Sequence, residues 1–300
     1  MNIKVTIGMC VHNSEEFINY PLYSILNQNF PHKLIKLIIV DGCSVDNTLN
    51  ILKDFVSKIN IKNLIFQSNN GLGYSRQIII DNAEGEYVIF IDDDYVLKKS
   101  FVKKHVTFME KNPCVGAASA KRFVIGKTLV TLLESLSVMS EDPNRNRIGT
   151  GGSIFRLKAT RQVGGFDINI LGAGEDLDLS HRIWLSGWKI TQNNLAKFSY
   201  RGKRTWRTLW KRHFWYGYGH HFLSHKYPRH MPPWPRLLPF NLLMGLRDSS
   251  KIYKVTQKSM KKKMFILLPI YYSFRSIAWF FGFVSSHFKG YGHKNKIQCK

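Results

Sequence analysis

A chain of 300 residues, 44% of them hydrophobic, is long enough for one large α/β domain or a domain with an appendage. Its formal net charge of +24 is uneven: residues 197–300 hold 22 Lys and Arg against one acid, Asp248, whereas residues 1–196 hold 22 basic and 19 acidic residues. The four cysteines (Cys10, Cys43, Cys114, Cys299) are scattered, form no C-x-x-C pair and meet no His at zinc spacing, which excludes a disulfide scaffold or zinc finger and reads as free thiols in a reducing cytosol.

MNIKVTIGMCVHNSEE has no long apolar core of a signal peptide and reads as a first β-strand, KVTIGMCV, with a cytoplasmic location expected. Asn13 or Ser14 can cap a following helix whose apolar face falls at Phe17, Leu22, Ile25 and Leu26. KLIIV is a second strand ending at Asp41, and Asp46 can cap the helix NTLNILKDFVSKI. NLIFQS is a third strand, NNGLG turns into the helix YSRQIIIDNA, and EYVIFI is a fourth strand that runs into Asp92, Asp93 and Asp94. Strands alternating with helices predict a mostly parallel, doubly wound sheet whose ligands bind beyond the carboxyl ends of the strands. Asp41 and the Asp triplet lie at such ends and can face one cleft.

Further on, CVGAASAKRFV reads as a strand leaving the sheet, GTGGSIFRL (149–157) as a Gly-rich strand and GGFD (164–167) as a turn. GEDLDLSHRIWLSGW (174–188) reads as a helix, ended by Gly187, with acids in the first turn where the helix dipole favours them. From 205 the pattern changes. TWRTLWKRHFWYGYGHHFLSH is amphipathic, aromatic and basic; HMPPWPRLLPF is a Pro-rich break; NLLMGLRDSSKIYKV reads as a helix, and KSMKKK as a charged lead-in to the apolar run 264–288.

Three adjacent acids repel one another, and burying even one unpaired charge costs several kcal/mol. In an extended strand Asp92 and Asp94 point to one side and Asp93 to the other. Two carboxylates in a cleft suit Mg²⁺ or Mn²⁺, which fill the rest of their sphere with water and substrate phosphate. On the triplet alone, a calcium-like structural site or a solvated acidic turn is an open alternative.

The stretches Cys10 to Asn13, Val40 to Thr48 (VDGCSVDNT), Asn69 to Gln77 (NNGLGYSRQ), Asp92 to Asp94, Gly164 to Asp167 and Glu175 to Leu179 stand in chain order. They resemble P-x-Y-N, V-D-D-G-S-x-D-x-T, N-x-G-x-x-x-A-R-N, D-x-D, G-G-F-D and E-D-x-D-L of the family 2 glycosyltransferases, over residues 1–190. The resemblance implies a GT-A (Rossmann-like) nucleotide-sugar-binding fold and inverting transfer of a sugar to an acceptor hydroxyl. It implies that Asp94 and Asp92 hold the metal, with Asp92 alternatively on the ribose, and that His12, Asp41, Arg76 and Asp93 complete the donor site. Asp176 would be the general base, with Glu175 and Asp178 as competitors; the i,i+4 spacing alternatively pairs Asp178 with Arg182. Glu175, Gly151 and Gly152 would meet the acceptor. The second acid of V-D-D-G-S is Gly42 here, which leaves the base of the donor open. Where relatives carry a His about twenty residues after E-D, this chain has Tyr200-Arg201; Arg201 or Arg212 would instead steady the diphosphate.

The resulting division is a catalytic domain at 1–200 and a basic, aromatic, membrane-associating helical extension at 201–300. Arg275 and Pro269 interrupt the run 264–288, so an interfacial or re-entrant helix fits better than a simple span, with Trp206, Trp210 and Trp215 suited to a lipid–water interface. The expected partners are a nucleotide diphosphate sugar, a lipid-linked (polyprenyl) or other glycan acceptor and an anionic membrane surface, at the cytoplasmic face of the membrane. Nucleic acid is not expected, since no RRM, HTH, KH or zinc-finger signature is present and strand-end acids would repel phosphate. A Rossmann dehydrogenase fits poorly, because Arg76 stands at the third glycine of G-x-G-x-x-G. A metal-dependent nucleotidyltransferase shares the acid pair but leaves Glu175 and Asp176 without a role.

Overall fold

The four apolar runs of the first 92 residues are parallel strands: β1 (Val5–Val11), β2 (Ile35–Asp41), β3 (Lys62–Gln67) and β4 (Tyr87–Asp92). The structure, a computed structural model, describes residues 2–139, 146–170, 172–202, 205–233, 240, 243, 246–250, 252 and 263–291. β1 lies between β2 and β4, and β3 flanks β2. β2 is buried at every position, as expected of an inner strand covered on both faces, and its Lys36 escapes isolation by reaching the Glu84 carboxylate at 2.8 Å. Register aligns Val11 with Asp41 and Cys10 with Asp92, so the carboxyl ends of β1, β2 and β4 form one rim.

Helices α1 (Asn19–Leu26), α2 (Thr48–Ser57) and α3 (Leu72–Asn82) make the crossovers. Asp46, expected to cap α2, stands one residue before its N-cap, Asn47, and accepts the Thr48 N–H at 3.0 Å from there; Asn47 makes no side-chain cap bond. β5 (Tyr95–Leu97), α4 (Phe101–Lys111), β6 (Val115–Ile125), α5 (Leu129–Met139), β7 (Ser153–Arg156), α6 (Leu157–Gln162), α7 (Glu175–Leu185) and β8 (Lys189–Arg201) follow. The sheet has eight strands in the order β3-β2-β1-β4-β7-β6-β8-β5. The strand expected to leave the sheet does not: β6 pairs antiparallel with β7, where its small buried Ala117 and Ala118 face Phe155 and Ile154. The core on this sheet gathers Ile38, Val40, Ile79, Phe90, Phe155 and Leu179.

The chain divides into two compact units. The first is Met1–Phe123, Pro143–Ile168 and Glu175–Tyr200; the second is Val124–Asp142, Asn169–Gly174 and Arg201–Lys300. The second unit therefore draws α5 from the middle of the sequence. It also holds α8 (Trp206–Lys226), opened by a Thr205–Thr208 capping box, and α9 (Lys263–Phe288) with Pro269 inside. Val130, Leu133, Leu209, Leu268 and Tyr271 form its own core.

Two expectations for the tail change. Trp206 and Trp210 pack edge-on against Phe274, because α8 and α9 bury their aromatic faces on each other; Trp215 is the exposed one, at 46%. Arg275 is not a bare charge in the apolar run. It donates to Ser137 Oγ at 2.8 Å and lies over the rings of Tyr271 and Tyr272 at 5.1 and 5.2 Å. Leu267–Phe288 is nevertheless long and apolar enough to cross a membrane. Of the helix expected at 241–255, positions 243, 246–250 and 252 are helical; the lead-in before α9 and most of the Pro-rich break lie outside the described residues.

Gly8 marks the closest approach of β1 to α3, since a Cβ there would come 2.5 Å from Ile79 Cγ2. Gly8→Ala is expected to lower stability by about 1–3 kcal/mol through overpacking. Urea unfolding should show a lower midpoint with an unchanged slope.

Candidate functional site in the first unit

Strand β4 ends at Asp92, and Asp93-Asp94 turn the chain into β5. The triplet is thus not one extended segment, and strand alternation does not set its side chains; a strand end followed by a turn does. Asp93 accepts a hydrogen bond from Ser14 Oγ, which joins the triplet to the loop after β1. Asp92 accepts from the Tyr95 phenol, whose pKa burial, Asp92 and Asp94 together raise well above its usual value. Asp92 and Asp94 are both half-buried, with carboxylate surface left for a ligand.

Beneath this rim lies Arg76, on α3 and 5% exposed. It pairs with Glu175 of α7 and reaches Asp92 Oδ1 at 3.5 Å. Burial works against the guanidinium charge; Glu175, Asp92 and Asp176 outweigh it and raise its pKa further. Arg76 was expected to face a nucleotide; it is buried, paired with Glu175 and within 3.5 Å of Asp92. Glu175, expected to meet an acceptor, is 2% exposed and serves as the counter-ion of Arg76. An unpaired cation at that depth would not be tolerated.

Asp176, next in α7, keeps some exposure. Burial raises its pKa, opposed by Arg76 and by the backbone N–H groups of Leu177 and Thr150 that donate to it. Its Oδ2 lies against Gly149, where a Cβ would come within 3.2 Å. Asp178 is fully buried and bonded to Arg182 at 2.8 Å, the structural i,i+4 pair its spacing predicts. One short helix start thus deploys three carboxylates in three ways.

At the end of β2, Asp41 is fully buried and accepts from Ser44 Oγ (2.5 Å), Ser44 N (3.1 Å) and Gln67 Nε2 (3.1 Å). It acts on the rim through Ser44 and Gln67, not by direct exposure. His12 is exposed, with Asn13 Nδ2 3.1 Å from its Nε2. A Cβ on Gly42 would lie 3.2 Å from His12 Nδ1, so the imidazole crowds the space beside Gly42. Cys10, half-buried beside Asp92 in the register, has its thiol pushed up to about 12 by burial.

The glycines expected to admit an acceptor are occupied from within. A Cβ on Gly151 would overlap the Tyr95 hydroxyl and come 2.9 Å from Asp92 Oδ2; one on Gly152, at φ 71°, would overlap the Phe198 ring. They let Tyr95 and Phe198 close against the backbone. His105 accompanies them, its Nε2 3.2 Å from Gly152 O and its pKa lowered to about 3 by burial, so it is neutral. Arg212, expected on a diphosphate, pairs with the buried Glu134 of the second unit, and Arg201 also belongs to that unit. Ser44, Gln67 and Tyr95 were not picked out from the sequence as site residues, and Ser14 only as a helix cap. Ser44 carried a signal as part of VDGCSVDNT, and Tyr95 by its place directly after the triplet.

Residues 6–160, just over half of the chain, match the family described as Glycosyl transferase family 2. The chain belongs to that family. It is 32% identical over 111 residues to poly(ribitol-phosphate) beta-N-acetylglucosaminyltransferase TarS of Staphylococcus aureus, over 37% of this chain and 19% of TarS. It is 34% identical over 105 residues to the putative teichuronic acid biosynthesis glycosyltransferase TuaG of Bacillus subtilis, over 34% of this chain and 40% of TuaG. The matched stretch is thus less than half the length of either relative. Among solved structures, mannosyltransferase PcManGT of Pyrobaculum calidifontis with GDP-Man and Mn²⁺ covers 96% of this chain and 88% of its own, at TM-score 0.67 and 15% identity. S. aureus TarS 1-349 with UDP-GlcNAc aligns with 96% of this chain and 92% of its own, at TM-score 0.52 and 17% identity. The family 2 member described here shares their fold, a mixed sheet flanked by helices.

Arg76→Met is expected to cost about 3–5 kcal/mol, because it removes the cation that the buried Glu175 carboxylate is paired with. Arg76→Met combined with Glu175→Leu should lose less than the two single changes summed, as calorimetric unfolding of all three variants would show.

Proposed function

We propose that this chain transfers a sugar from a nucleoside diphosphate donor to an acceptor hydroxyl with inversion at C1. The observation that carries the reading is Asp176, a carboxylate at the start of α7 whose pKa burial raises, sharing Arg76 with Asp92 at the end of β4. A carboxylate with a raised pKa is a stronger base, which suits it to take a hydroxyl proton. Asp176 would accept the acceptor's proton as its oxygen bonds to C1. The C1–O bond to the diphosphate then breaks, and its electron pair leaves with the nucleoside diphosphate.

Asp92 and Asp94 offer adjacent, partly exposed oxygen donors, a set that fits Mg²⁺ or Mn²⁺ better than a softer ion. Such an ion, when bound, neutralises charge developing on the leaving diphosphate. In this reading Arg76 orients Asp92, Asp93 and Ser14 tie the β1 loop to the rim, and His12, Ser44 and Gln67 line the donor pocket. One structural neighbour holds UDP-GlcNAc and another GDP-Man, and Gly42 supplies no base-reading acid, so UDP and GDP are the donors to compare.

The acceptor in this reading is a lipid-linked or wall glycan at the cytoplasmic face of the membrane. Support comes from the relatives' names, the excess of basic residues in 197–300, and Ile270, Phe281 and Phe288 of α9, each more than half exposed. Flotation should carry the protein with anionic vesicles and leave it behind with neutral ones at raised salt; no flotation with either would remove the membrane from the reading.

Titration calorimetry with UDP and GDP, with and without Mn²⁺, should give one preferred nucleotide whose metal-dependent binding is lost in Asp94→Ala. Asp176→Asn should lower kcat by about 10²–10⁴-fold while nucleotide binding persists. Because Asp176 must be ionised to act and its pKa is raised, activity should fall with acidification at a higher pH than for an ordinary carboxylate. Folding favours its protonated form, a contribution lost as pH rises through the folded pKa. At neutral pH, Asp176→Asn is therefore expected to melt no lower than the wild type, so its inactivity could not be laid to unfolding.

A further inference from the structure

The second unit holds a histidine cluster that the reaction proposed above does not use. His221 and His225 are one turn apart on α8 and share a face, and His287 stands in the last turn of α9. His221 Nε2 lies 3.2 Å from His287 Nδ1 and 3.2 Å from His225 Nε2, and one nitrogen from each ring falls within 4.8 Å of the others. A ring nitrogen has one in-plane position, filled by a proton or a lone pair. His221 Nε2 therefore cannot make two well-directed hydrogen bonds, one to each neighbour, with that single position. A cation between the rings uses all three lone pairs at once. Zinc–imidazole bonds of about 2.0–2.1 Å set tetrahedral ligand atoms about 3.3 Å apart, close to the spacing of both pairs.

Backbone packing holds the rings in place. A Cβ on Gly217 of α8 would overlap the Trp279 carbonyl, and one on Gly282 of α9 would overlap the Phe214 carbonyl. The two helices thus touch backbone to backbone about one turn before the histidines, and the crossing leaves little freedom to spread them. The cluster grades from buried His221 through half-buried His225 to exposed His287, so an ion would reach it from the His287 side.

We infer that His221, His225 and His287 form a Zn²⁺-class site that ties α8 to α9. Imidazole donors select zinc or its neighbours, not the hard Mg²⁺ or Mn²⁺ that carboxylates such as Asp92 and Asp94 suit. The site is thus chemically separable from the acids at the end of β4.

The test uses the full chain, stripped with chelator and titrated with Zn²⁺ against a chromophoric competitor, with Co²⁺ as a spectroscopic stand-in. Expected are one tightly held Zn²⁺ per chain, a melting temperature that rises with Zn²⁺, and visible Co²⁺ bands of tetrahedral intensity. His287→Ala and His225→Ala should each weaken Zn²⁺ binding by at least about 100-fold, a ligand counting for no less than its outer-shell supports. His287 is exposed, so its variant should fold, and circular dichroism checks that it does. Asp94→Ala should leave the Zn²⁺ affinity unchanged. Three results would overturn the inference: no bound Zn²⁺, undiminished binding in the His225→Ala and His287→Ala double variant, or Zn²⁺ binding lost in Asp94→Ala.

Discussion

The first unit turns on one buried guanidinium. Arg76 lies under the carboxyl end of β4 with Glu175 as its full partner and Asp92 at 3.5 Å. A cation at that depth demands compensation, and the compensation fixes α3, the start of α7 and the end of β4 relative to one another. It also explains how a strand can run into three acids. Asp92 has Arg76 and Tyr95, Asp93 has Ser14, and only part of the negative charge is left to face outward.

That arrangement sorts four carboxylates by depth. Glu175 and Asp178 are buried and spent on Arg76 and Arg182. Asp176, between them in sequence, is held in a partly exposed place where burial raises its pKa, with Thr150 and Leu177 donating to it. Asp41 is buried and saturated by Ser44 and Gln67. Neighbours in sequence thus acquire different chemistry because a helix turns successive side chains by about 100°, sending one into an ion pair and the next toward solvent.

The second unit rests on a different constraint. Gly217 and Gly282 allow α8 and α9 to meet at backbone distance, and the large aromatic residues Trp206, Trp210 and Phe274 fill one end of the crossing. A helix apolar enough for a bilayer accordingly spends its Arg275 inside the unit, on Ser137 and two tyrosine rings. The same close crossing brings a histidine of α9 onto two of α8.

Sequence alone determined the parallel βαβ start, the strand end at Asp41 and the Asp178–Arg182 pair. Each follows from local rules: apolar periodicity and i,i+4 spacing within one helix. The ordered motifs also carried the family, because they report on a shared backbone path. Tertiary structure decided the rest. The place of β6 in the sheet, the burial of Arg76 and Glu175, and the use of Gly151 and Gly152 by Tyr95 and Phe198 depend on partners dozens of residues away. The histidine cluster is the clearest case: His221 and His287 are 66 positions apart, and no spacing rule relates them. Long-range contacts arise from how two surfaces pack, and that information is spread over every residue that shapes them.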